Sequence, residues 1–581
     1  MRLPLKEYIG LLYKYLNKQR KSMIILMVIL VLNVGLQLVN PQIIRYFIDA
    51  ALKGKGNKNL IAAAMLFIGF AVIRQVFIII SAYIGENLGW QATNSLRLDL
   101  IEHCIKLDMA FHKRHQSGEL IERVDGDVNA LFKFFSTFML NLSTNAILLI
   151  GILVLLLIED LRIGITLTGF SILAIVIMGY IEKKSSVHWV NQRENNAKLY
   201  GFLGEQITSV DDINTCGAKT YTMNNLYRNF RKLLPVQIKS TMGYYHMWMA
   251  NLVIFSIGNV MALLLSAYLF QNSQISFGTL YLIFYYTELM VRPLEEIKSQ
   301  MQELQKAEAS IRRVKEVFNT KSSIEFGKNT INPGSSIDLS LSNVFFRYEE
   351  GEAVLKNINL HIPKNTVLGV LGHTGSGKTT LARLIVRLYD VSSGSIKING
   401  ENLIDVSEET LRESISYVTQ EVQIFHTTVR NNLTFFNPNI GDKVILAAIN
   451  DIGLASWLEK LPNGLDTMLD NGGSGLSAGE AQLLAFVRVF LKNSKLVILD
   501  EATSRLDPIT EGLIDKALNK LLKDRTCIII AHRLWTVQRA DNILILEDGA
   551  ALEYGQREGL STDNSSKFYS LLQTGMEEVL V

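Results

Sequence analysis

The stretch that decides the fold is GHTGSGKT at residues 372–379, followed downstream by LSAGE at 476–480 and ILDEATSRLD at 498–507. The first stretch follows an apolar run, Val367–Leu371, and precedes a helical pattern, as a phosphate-binding loop does. Glycines let backbone N–H groups surround a phosphate, while Lys378 neutralises its charge. The residues predicted to bind the nucleotide here are Gly372, His373, Thr374, Gly375, Ser376, Gly377, Lys378, Thr379 and Thr380.

Two acids at the end of a later apolar run complete a site for phosphate chemistry. Asp500 ends the run 495–500 and is predicted to hold Mg²⁺ together with the Thr379 hydroxyl. Glu501 follows at once and is predicted to polarise the attacking water. Acids at this position also cap helices, but that role does not explain why they follow a complete phosphate loop. Short β-rich runs alternate here with helical stretches, which predicts an α/β sheet.

The segment LSAGE resembles the signature of ABC ATPases, and this resemblance covers the whole soluble half of the chain. It implies that Ser477 and Gly479 bind the γ-phosphate of ATP held by a partner's phosphate loop. The other roles that the resemblance implies are adenine stacking by Tyr348, γ-phosphate and Mg²⁺ sensing by Gln420, γ-phosphate contact by His532 and communication across the dimer by Asp507. Packing within a strand is the alternative role for Tyr348.

Three departures from the family pattern bear on the partner. Ala478 and Glu480 stand where the family has LSGGQ, and Arg505 replaces a small residue. Such changes suit a heterodimer with one weakened site, whereas Glu501 and His532 indicate that this chain's own phosphate loop is competent. A non-identical second half-transporter is therefore favoured over a homodimer.

The first 300 residues carry long apolar runs, and crossing a bilayer takes about 20 apolar helical residues. The six predicted spans are Ser22–Ile44, Leu60–Ile84, Thr137–Ile158, Leu161–Ile181, Met247–Phe270 and Phe277–Val291. Basic residues concentrate before the first span and in the connections 86–136 and 182–246, which places these segments and the ATPase in the cytosol. Lys53, Lys55 and Lys58, in the first outer loop, run against this rule.

The two long connections are polar and helical, so spans two to five are predicted to extend beyond the membrane. Residues 111–128 and 201–218 resemble the two coupling loops of ABC exporters, which dock on the ATPase; solvated hairpins without a docking role are the alternative. The predicted domains are a transmembrane domain at 1–319, a linker at 320–337 and a nucleotide-binding domain at 338–581.

Two ionisable residues interrupt the apolar spans. Arg74 lies roughly 21 Å into the bilayer from Leu60 at 1.5 Å per residue, so it is predicted to face the bundle or a wet cavity. Glu288 stands one helical turn before Arg292, a spacing that allows an ion pair. Helix pairing and substrate contact both remain open for these residues, and the nearby aromatics at 281–286 are either packing residues or lining for apolar or cationic cargo.

The predicted fold is a six-span exporter-type helical bundle with long cytosolic helices, fused to an α/β P-loop ABC ATPase domain. The predicted function is ATP-driven transport as one half of a dimer in the inner or plasma membrane, with export of a small molecule, lipid or peptide favoured. Import of the siderophore type and a regulatory ATP-binding subunit remain alternatives. The net charge of +3 gives no argument for nucleic acid, and the three cysteines lack metal-site spacing.

Overall fold

The structure is a computed structural model that describes residues 10, 13–54, 56–133, 136, 139–331, 336–349, 351–470, 476–500, 508–531 and 534–574. Three predicted site residues, Glu501, Asp507 and His532, lie outside these ranges, as do Arg505 and linker positions 332–335. The chain divides into two compact units. Unit 1 comprises Met1–Lys106 and His115–Thr320, and unit 2 comprises Leu107–Arg114 and Lys321–Val581.

Unit 1 is helical throughout its described regular structure. Its helices are α1 (Arg20–Leu52), α2 (Asn57–Lys106), α4 (Ser117–Ile121), α5 (Val128–Lys133), α6 (Met139–Glu159), α7 (Leu161–Thr208), α8 (Val210–Thr215), α9 (Lys219–Gln271) and α10 (Phe277–Asn319), with a π-helix at Glu122–Asp127. Helix α3 (Met109–Arg114), between α2 and α4 in the chain, belongs to unit 2. The longest, α9, spans about 80 Å at 1.5 Å per residue, more than twice a hydrocarbon core of about 30 Å. The predicted extension of the spans beyond the membrane is confirmed for α2, α7 and α9.

Five helices of the described chain are long and apolar enough to cross a membrane: α1, α2, α6 from Leu140, α7 and α9. The predicted sixth span, Phe277–Val291, lies at the beginning of α10 and is not among these five. Its tyrosines, Glu288 and the following Arg292 lower the hydropathy of this stretch. The sixth crossing therefore stays a prediction.

Polar contacts join helix ends within unit 1. The Asp49 carboxylate, near the end of α1, accepts from the Ser276 hydroxyl at 2.7 Å and from the Gly278 N–H at 2.9 Å. It thereby satisfies one backbone donor at the beginning of α10. One turn earlier on α1, Arg45 pairs with Glu159 at the end of α6, with 2.5 Å between nitrogen and oxygen. The ends of α1, α6 and α10 at these short connections consequently lie on one side of the bundle.

The first long connection, which contains the predicted coupling segment 111–128, is divided between the two units. Its short helix α3 (Met109–Arg114) belongs to unit 2, while His115 and the residues after it belong to unit 1. Asp108, just before α3, accepts a backbone bond from Ser323 at 2.5 Å and so ties this helix to the beginning of the chain's second half. Helix α4 begins at Ser117, after a break in the helical run, and the docking role of residues 111–128 stays a prediction.

Unit 2 is an α/β unit built on three sheets. The strands are β1 (Leu339–Arg347), β2 (Ala353–Ile362), β3 (Val367–Leu371), β4 (Ser393–Ile398), β5 (Glu401–Asn402), β6 (Ile415–Val418), β7 (Thr427–Thr428), β8 (Met468–Leu469), β9 (Leu496–Asp500), β10 (Thr526–Ile530), β11 (Asn542–Glu547) and β12 (Ala550–Gln556). The six-stranded sheet has the order β12-β11-β3-β10-β9-β6, the four-stranded antiparallel sheet has the order β2-β1-β4-β5, and β7 pairs with β8. The helices are α11 (Lys378–Ile385), α12 (Glu408–Ser414), α13 (Val429–Thr434), α14 (Asp442–Ile452), α15 (Ala455–Glu459), α16 (Ala478–Lys492), α17 (Pro508–Leu522), α18 (Leu534–Val537), α19 (Arg557–Thr562) and α20 (Lys567–Thr574).

The six-stranded sheet separates two apolar cores. Every residue of β3, β9 and β10 is buried, as expected for parallel strands covered on both faces. Along β3, Val367 and Leu371 enter one core while Leu368 and Val370 enter the other. Strands β6, β9, β10 and β3 run parallel, so their carboxyl ends meet at one edge of the sheet. That edge receives the phosphate loop, Asp500 and Gln420.

Candidate functional site

The phosphate loop forms the tight turn between β3 and α11 that its glycines predict. Gly372, Gly375 and Gly377 all have positive φ, and a Cβ on Gly372 would lie 2.2 Å from the Leu546 carbonyl oxygen. Gly377 immediately precedes α11, whose first residue is Lys378. The loop therefore presents the N-terminus of this helix, where backbone N–H groups favour phosphate.

The polar side chains of the loop match a phosphate ligand. Lys378 is buried, and its ammonium donates to the carbonyl oxygens of Gly372 at 2.7 Å and His373 at 2.9 Å. The Ser376 hydroxyl is buried without a hydrogen-bond partner. Buried polar groups in proteins are normally bonded, so this hydroxyl has capacity for a ligand oxygen. His373, Thr374 and Gly375 are exposed at the mouth of the loop.

Asp500 and Thr379 come together as a Mg²⁺ site requires. Asp500 ends β9 and is 5% exposed, and one of its oxygens accepts from the Thr379 hydroxyl at 3.3 Å. A hydroxyl next to a carboxylate is the hard oxygen set that Mg²⁺ prefers, with waters and substrate oxygens completing the shell. Gln420 lies two residues beyond β6, the strand beside β9, and its side chain is exposed. These residues fit the metal ion that the fold implies.

Tyr417 is a contact of Asp500 that the sequence analysis did not identify. Its hydroxyl donates to the second Asp500 oxygen at 2.8 Å, because Tyr417 on β6 pairs in register with Ile498 on β9. Burial, and next the Asp500 charge, raise the pKa of Tyr417 above its usual range, so the hydroxyl stays a donor. Tyr417, three residues before Gln420, was visible in the sequence, but its hydrogen bond to Asp500 depends on the order of the strands.

Tyr348 lies next to the phosphate loop and is covered by a residue of the first connection. Its hydroxyl shares a hydrogen bond of 3.1 Å with Thr380, and its ring packs edge-on against Phe346 and Tyr389. The Lys113 ammonium of α3 lies over the ring, 4.1 Å from its centre. A cavity of about 660 Å³ adjoins Tyr348 and is lined by Lys113 and Tyr389, among others. The arrangement leaves room for a base beside Tyr348.

The signature segment begins helix α16. The Ser477 hydroxyl accepts from the Glu480 N–H at 3.2 Å, and the Glu480 carboxylate accepts from the Ser477 N–H at 2.7 Å, which is a capping box. Glu480 therefore has a structural role in this helix. Ser477 is exposed and Gly479 is buried, both at the positive end of a helix of 15 residues.

These features define a P-loop ATPase unit joined to a helical membrane unit, and the sequence comparisons agree with that class. The sequence matches the family described as "ABC transporter transmembrane region" over residues 23–294 and the family "ABC transporter" over residues 355–504. The chain belongs to the ABC transporter family. It is an integral membrane protein whose second half is an ATP-hydrolysing domain.

Two relatives and a solved structure indicate which type of ABC transporter this chain resembles. "Uncharacterized ABC transporter ATP-binding protein YknV" of Bacillus subtilis (strain 168) is 31% identical over 94% of this chain and 91% of its own length. A Staphylococcus aureus (strain NCTC 8325 / PS 47) protein named "Putative multidrug export ATP-binding/permease protein" is 29% identical over 90% and 92%. The structure of a bacterial Atm1-family ABC exporter with ATP bound superposes with a TM-score of 0.81 at 21% identity, covering 96% of this chain and 98% of that one. The fold is thus of the exporter type.

Proposed function

We propose that this chain is one protomer of a dimeric ATP-driven exporter of small molecules, lipids or peptides. The observation that carries the proposal is the phosphate loop with its unbonded Ser376 hydroxyl, joined through Thr379 to Asp500. The membrane helices and the exporter-type fold supply the transport half. The name of the Staphylococcus aureus relative supports outward transport of diverse small molecules.

Each residue has a distinct task in this proposal. N–H groups of residues 372–380 and the Lys378 ammonium bind phosphates, while Thr379, Asp500 and Gln420 hold Mg²⁺. Tyr348 stacks on the base. Glu501 accepts hydrogen bonds from water and orients it, and His532 donates to the γ-phosphate. Bound ATP with Mg²⁺ supplies a cleavable phosphoanhydride and the charge that the partner recognises.

The second protomer completes the site. The α16 N-terminus with Ser477 and Gly479, and Asp507 behind it, would face the nucleotide of the partner, in line with the family resemblance. We favour a non-identical partner because Ala478, Glu480 and Arg505 depart from the family pattern. A closed dimer that binds nucleotide more tightly than the open one drives the membrane helices from inward to outward access.

The proposed topology has six membrane crossings, including Phe277–Val291. The N-terminus and the ATPase domain lie in the cytosol. The membrane is the inner or plasma membrane of the cell. The proposed domain limits are 1–319, 320–337 and 338–581. Basic residues in the two long connections support this orientation.

The test uses inside-out membrane vesicles containing the protein with its partner. ATP should drive accumulation of a fluorescent amphipathic dye in the lumen, and Glu501→Gln should reduce both transport and ATP hydrolysis by at least about 100-fold, as loss of a general base does. Glu459→Gln, an exposed glutamate at the end of α15, is the matched control and should leave both rates unchanged.

Two outcomes would replace the proposal. Loss of preloaded dye from the lumen on addition of ATP would show import. Transport that survives Glu501→Gln nearly intact would assign this chain the role of a regulatory ATP-binding subunit whose partner performs the hydrolysis.

A further inference from the structure

Helix α3 of the first connection is held at both ends by other residues of unit 2. Asp108, just before the helix, accepts from the Phe111 N–H at 2.9 Å, as a helix cap does. The other oxygen of the same carboxylate accepts from the Ser323 N–H at 2.5 Å and from the Ser323 hydroxyl at 2.6 Å. At the far end of the helix, Arg114 pairs with Glu349, with 2.7 Å between nitrogen and oxygen. The side chains of α3 therefore have a defined position within unit 2.

The Tyr348 ring is held in one orientation and carries a cation over one face. Its hydroxyl shares a hydrogen bond of 3.1 Å with Thr380 at the beginning of α11. The rings of Phe346 and Tyr389 stand nearly perpendicular to it, with centroids 4.8 and 5.2 Å away. The Lys113 ammonium lies 4.1 Å from the ring centre, which is the geometry of a cation–π contact.

An ion pair does not explain the position of Lys113. Within the described part of the chain, no carboxylate forms an ion pair with this exposed lysine, whereas the next residue, Arg114, is paired with Glu349. The ring of Tyr348 is the contact that Lys113 makes in the structure. The lysine and the ring both line the cavity of about 660 Å³, a volume in the range of small-molecule sites. Helix α3 consequently supplies part of the wall of the space beside Tyr348.

A cation on one face of an aromatic ring changes how the opposite face stacks. The faces of aromatic rings are electron-rich, so two rings that stack face to face repel one another through their quadrupoles. A cation attracts the electron density of the ring that it covers and offsets this repulsion at the other face. Lys113 therefore favours the stacking of a base on the uncovered face of Tyr348.

We propose that Lys113 is a positioning residue of the nucleobase site, which strengthens the stacking of a purine base by acting through Tyr348. Coupling between two binding contacts is reciprocal, so the bound base strengthens the contact between Lys113 and the ring by the same factor. Helix α3 lies between α2 and α4 along the chain, so the first connection responds to the base in addition to the phosphates. This inference rests on the proposed stacking of the base on Tyr348 and adds the residue outside the ATPase sequence that strengthens it.

The experiment measures dissociation constants by isothermal titration calorimetry on the full-length protein, with its partner, in phosphatidylcholine nanodiscs with Mg²⁺. The probes are ADP and pyrophosphate, which lacks the base. Lys113→Ala should raise the Kd of ADP about 2- to 5-fold and leave that of pyrophosphate unchanged, and Lys113→Arg should retain wild-type values. Lys106→Ala is the matched control, because the charge of this exposed lysine is paired with Glu102 on its own helix. Lys378→Ala in this chain gives the contribution of the partner's own site.

Two further measurements separate an action through the ring from a general structural role. In a Tyr348→Leu background, Lys113→Ala should have no additional effect on the Kd of ADP, because the lysine acts through the missing ring. Amide hydrogen exchange follows the reciprocal effect on the first connection. ADP should slow exchange in α3 more than pyrophosphate does, and either substitution should abolish this difference.

Three results would overturn the inference. Tighter ADP binding by Lys113→Ala would show that the lysine competes with the base. Equal weakening of ADP and pyrophosphate would show a general effect of charge, and additive effects of Lys113→Ala and Tyr348→Leu would show an action that bypasses the ring. Unchanged ADP binding in Tyr348→Leu alone would remove the stacking assignment itself. Failure of the transport proposal has a separate signature, which is dye transport that persists in Glu501→Gln.

Discussion

Replacing Tyr417 with Phe removes one hydrogen bond from the acid that is proposed to hold Mg²⁺. The Tyr417 hydroxyl donates to Asp500 at 2.8 Å, and Asp500 is 5% exposed. Hydrogen bonds to charged groups contribute about 1.5–3 kcal/mol, and Asp500 keeps a second, longer bond from Thr379. We therefore expect Tyr417→Phe to lower the free energy of unfolding of unit 2 by about 2 kcal/mol and its Tm by about 4–8 °C.

The assay is thermal unfolding of nucleotide-free protein in EDTA, followed by tryptophan fluorescence and by the loss of ATP binding. Tyr554→Phe is the matched control, because its hydroxyl donates to the neutral carbonyl of His361 at an exposed position. The control should cost about 0.5–1 kcal/mol. Equal destabilisation by the two variants, or none by Tyr417→Phe, would refute the assigned bond to Asp500.

The pH dependence follows from the raised pKa of Tyr417. Burial first, and then the Asp500 charge, raise this pKa above the ordinary value of about 10. A group with a raised pKa in the folded state contributes its full stability below the unfolded pKa and loses it as the pH rises further. The difference between wild type and Tyr417→Phe should be constant from pH 6 to 9 and should shrink above about pH 10. A difference that already shrinks between pH 6 and 8 would contradict this assignment.

Three further predictions concern other parts of the chain. Glu480→Gln keeps the capping box with Ser477 but removes a negative charge near the proposed partner nucleotide, so half-saturating ATP should fall about 2- to 5-fold; an increase would contradict this. Lys113→Ala removes the cation over the Tyr348 ring and should weaken ATP binding about 2- to 5-fold in a fluorescent-nucleotide titration, whereas Lys113→Arg should retain it. A membrane-impermeant maleimide at pH 8 should label exposed Cys216 in inside-out but not right-side-out vesicles, and it should spare Cys527, whose pKa burial raises to about 12; labelling from the opposite side would reverse the proposed topology.

Much of the candidate site could be predicted because its parts are contiguous in sequence. The spacing of glycines around Lys378 fixes a turn that only glycine can form, so the loop is found without knowledge of its neighbours. Strand β3 was predicted at its observed limits because five successive apolar residues before such a loop indicate a strand buried on both faces. The capping role of Glu480 follows from its position three residues after Ser477, although the sequence analysis treated it only as a departure from the family.

Side-chain partners across long sequence separations could not be predicted in this way. Helical spacing allows an ion pair between Glu288 and Arg292, whereas in the structure the Glu288 carboxylate accepts from the Asn259 amide on the neighbouring helix α9. Helical periodicity also does not reveal that α3, within the first connection, belongs to unit 2. Spacing along one helix predicts which residues share a face, but the contacts of that face depend on how the helices pack against one another.

By itself, the sequence determined the class of the protein: apolar runs long enough to cross a bilayer, and a phosphate loop, signature and acidic strand end in their order along the chain. These are local patterns, and local sterics and hydropathy suffice to produce them. Only the tertiary structure brought Tyr417 to Asp500, Lys113 to Tyr348 and Arg74 to Gln37. Such contacts depend on strand order and helix packing, which join residues that are far apart in the chain and that no single segment specifies.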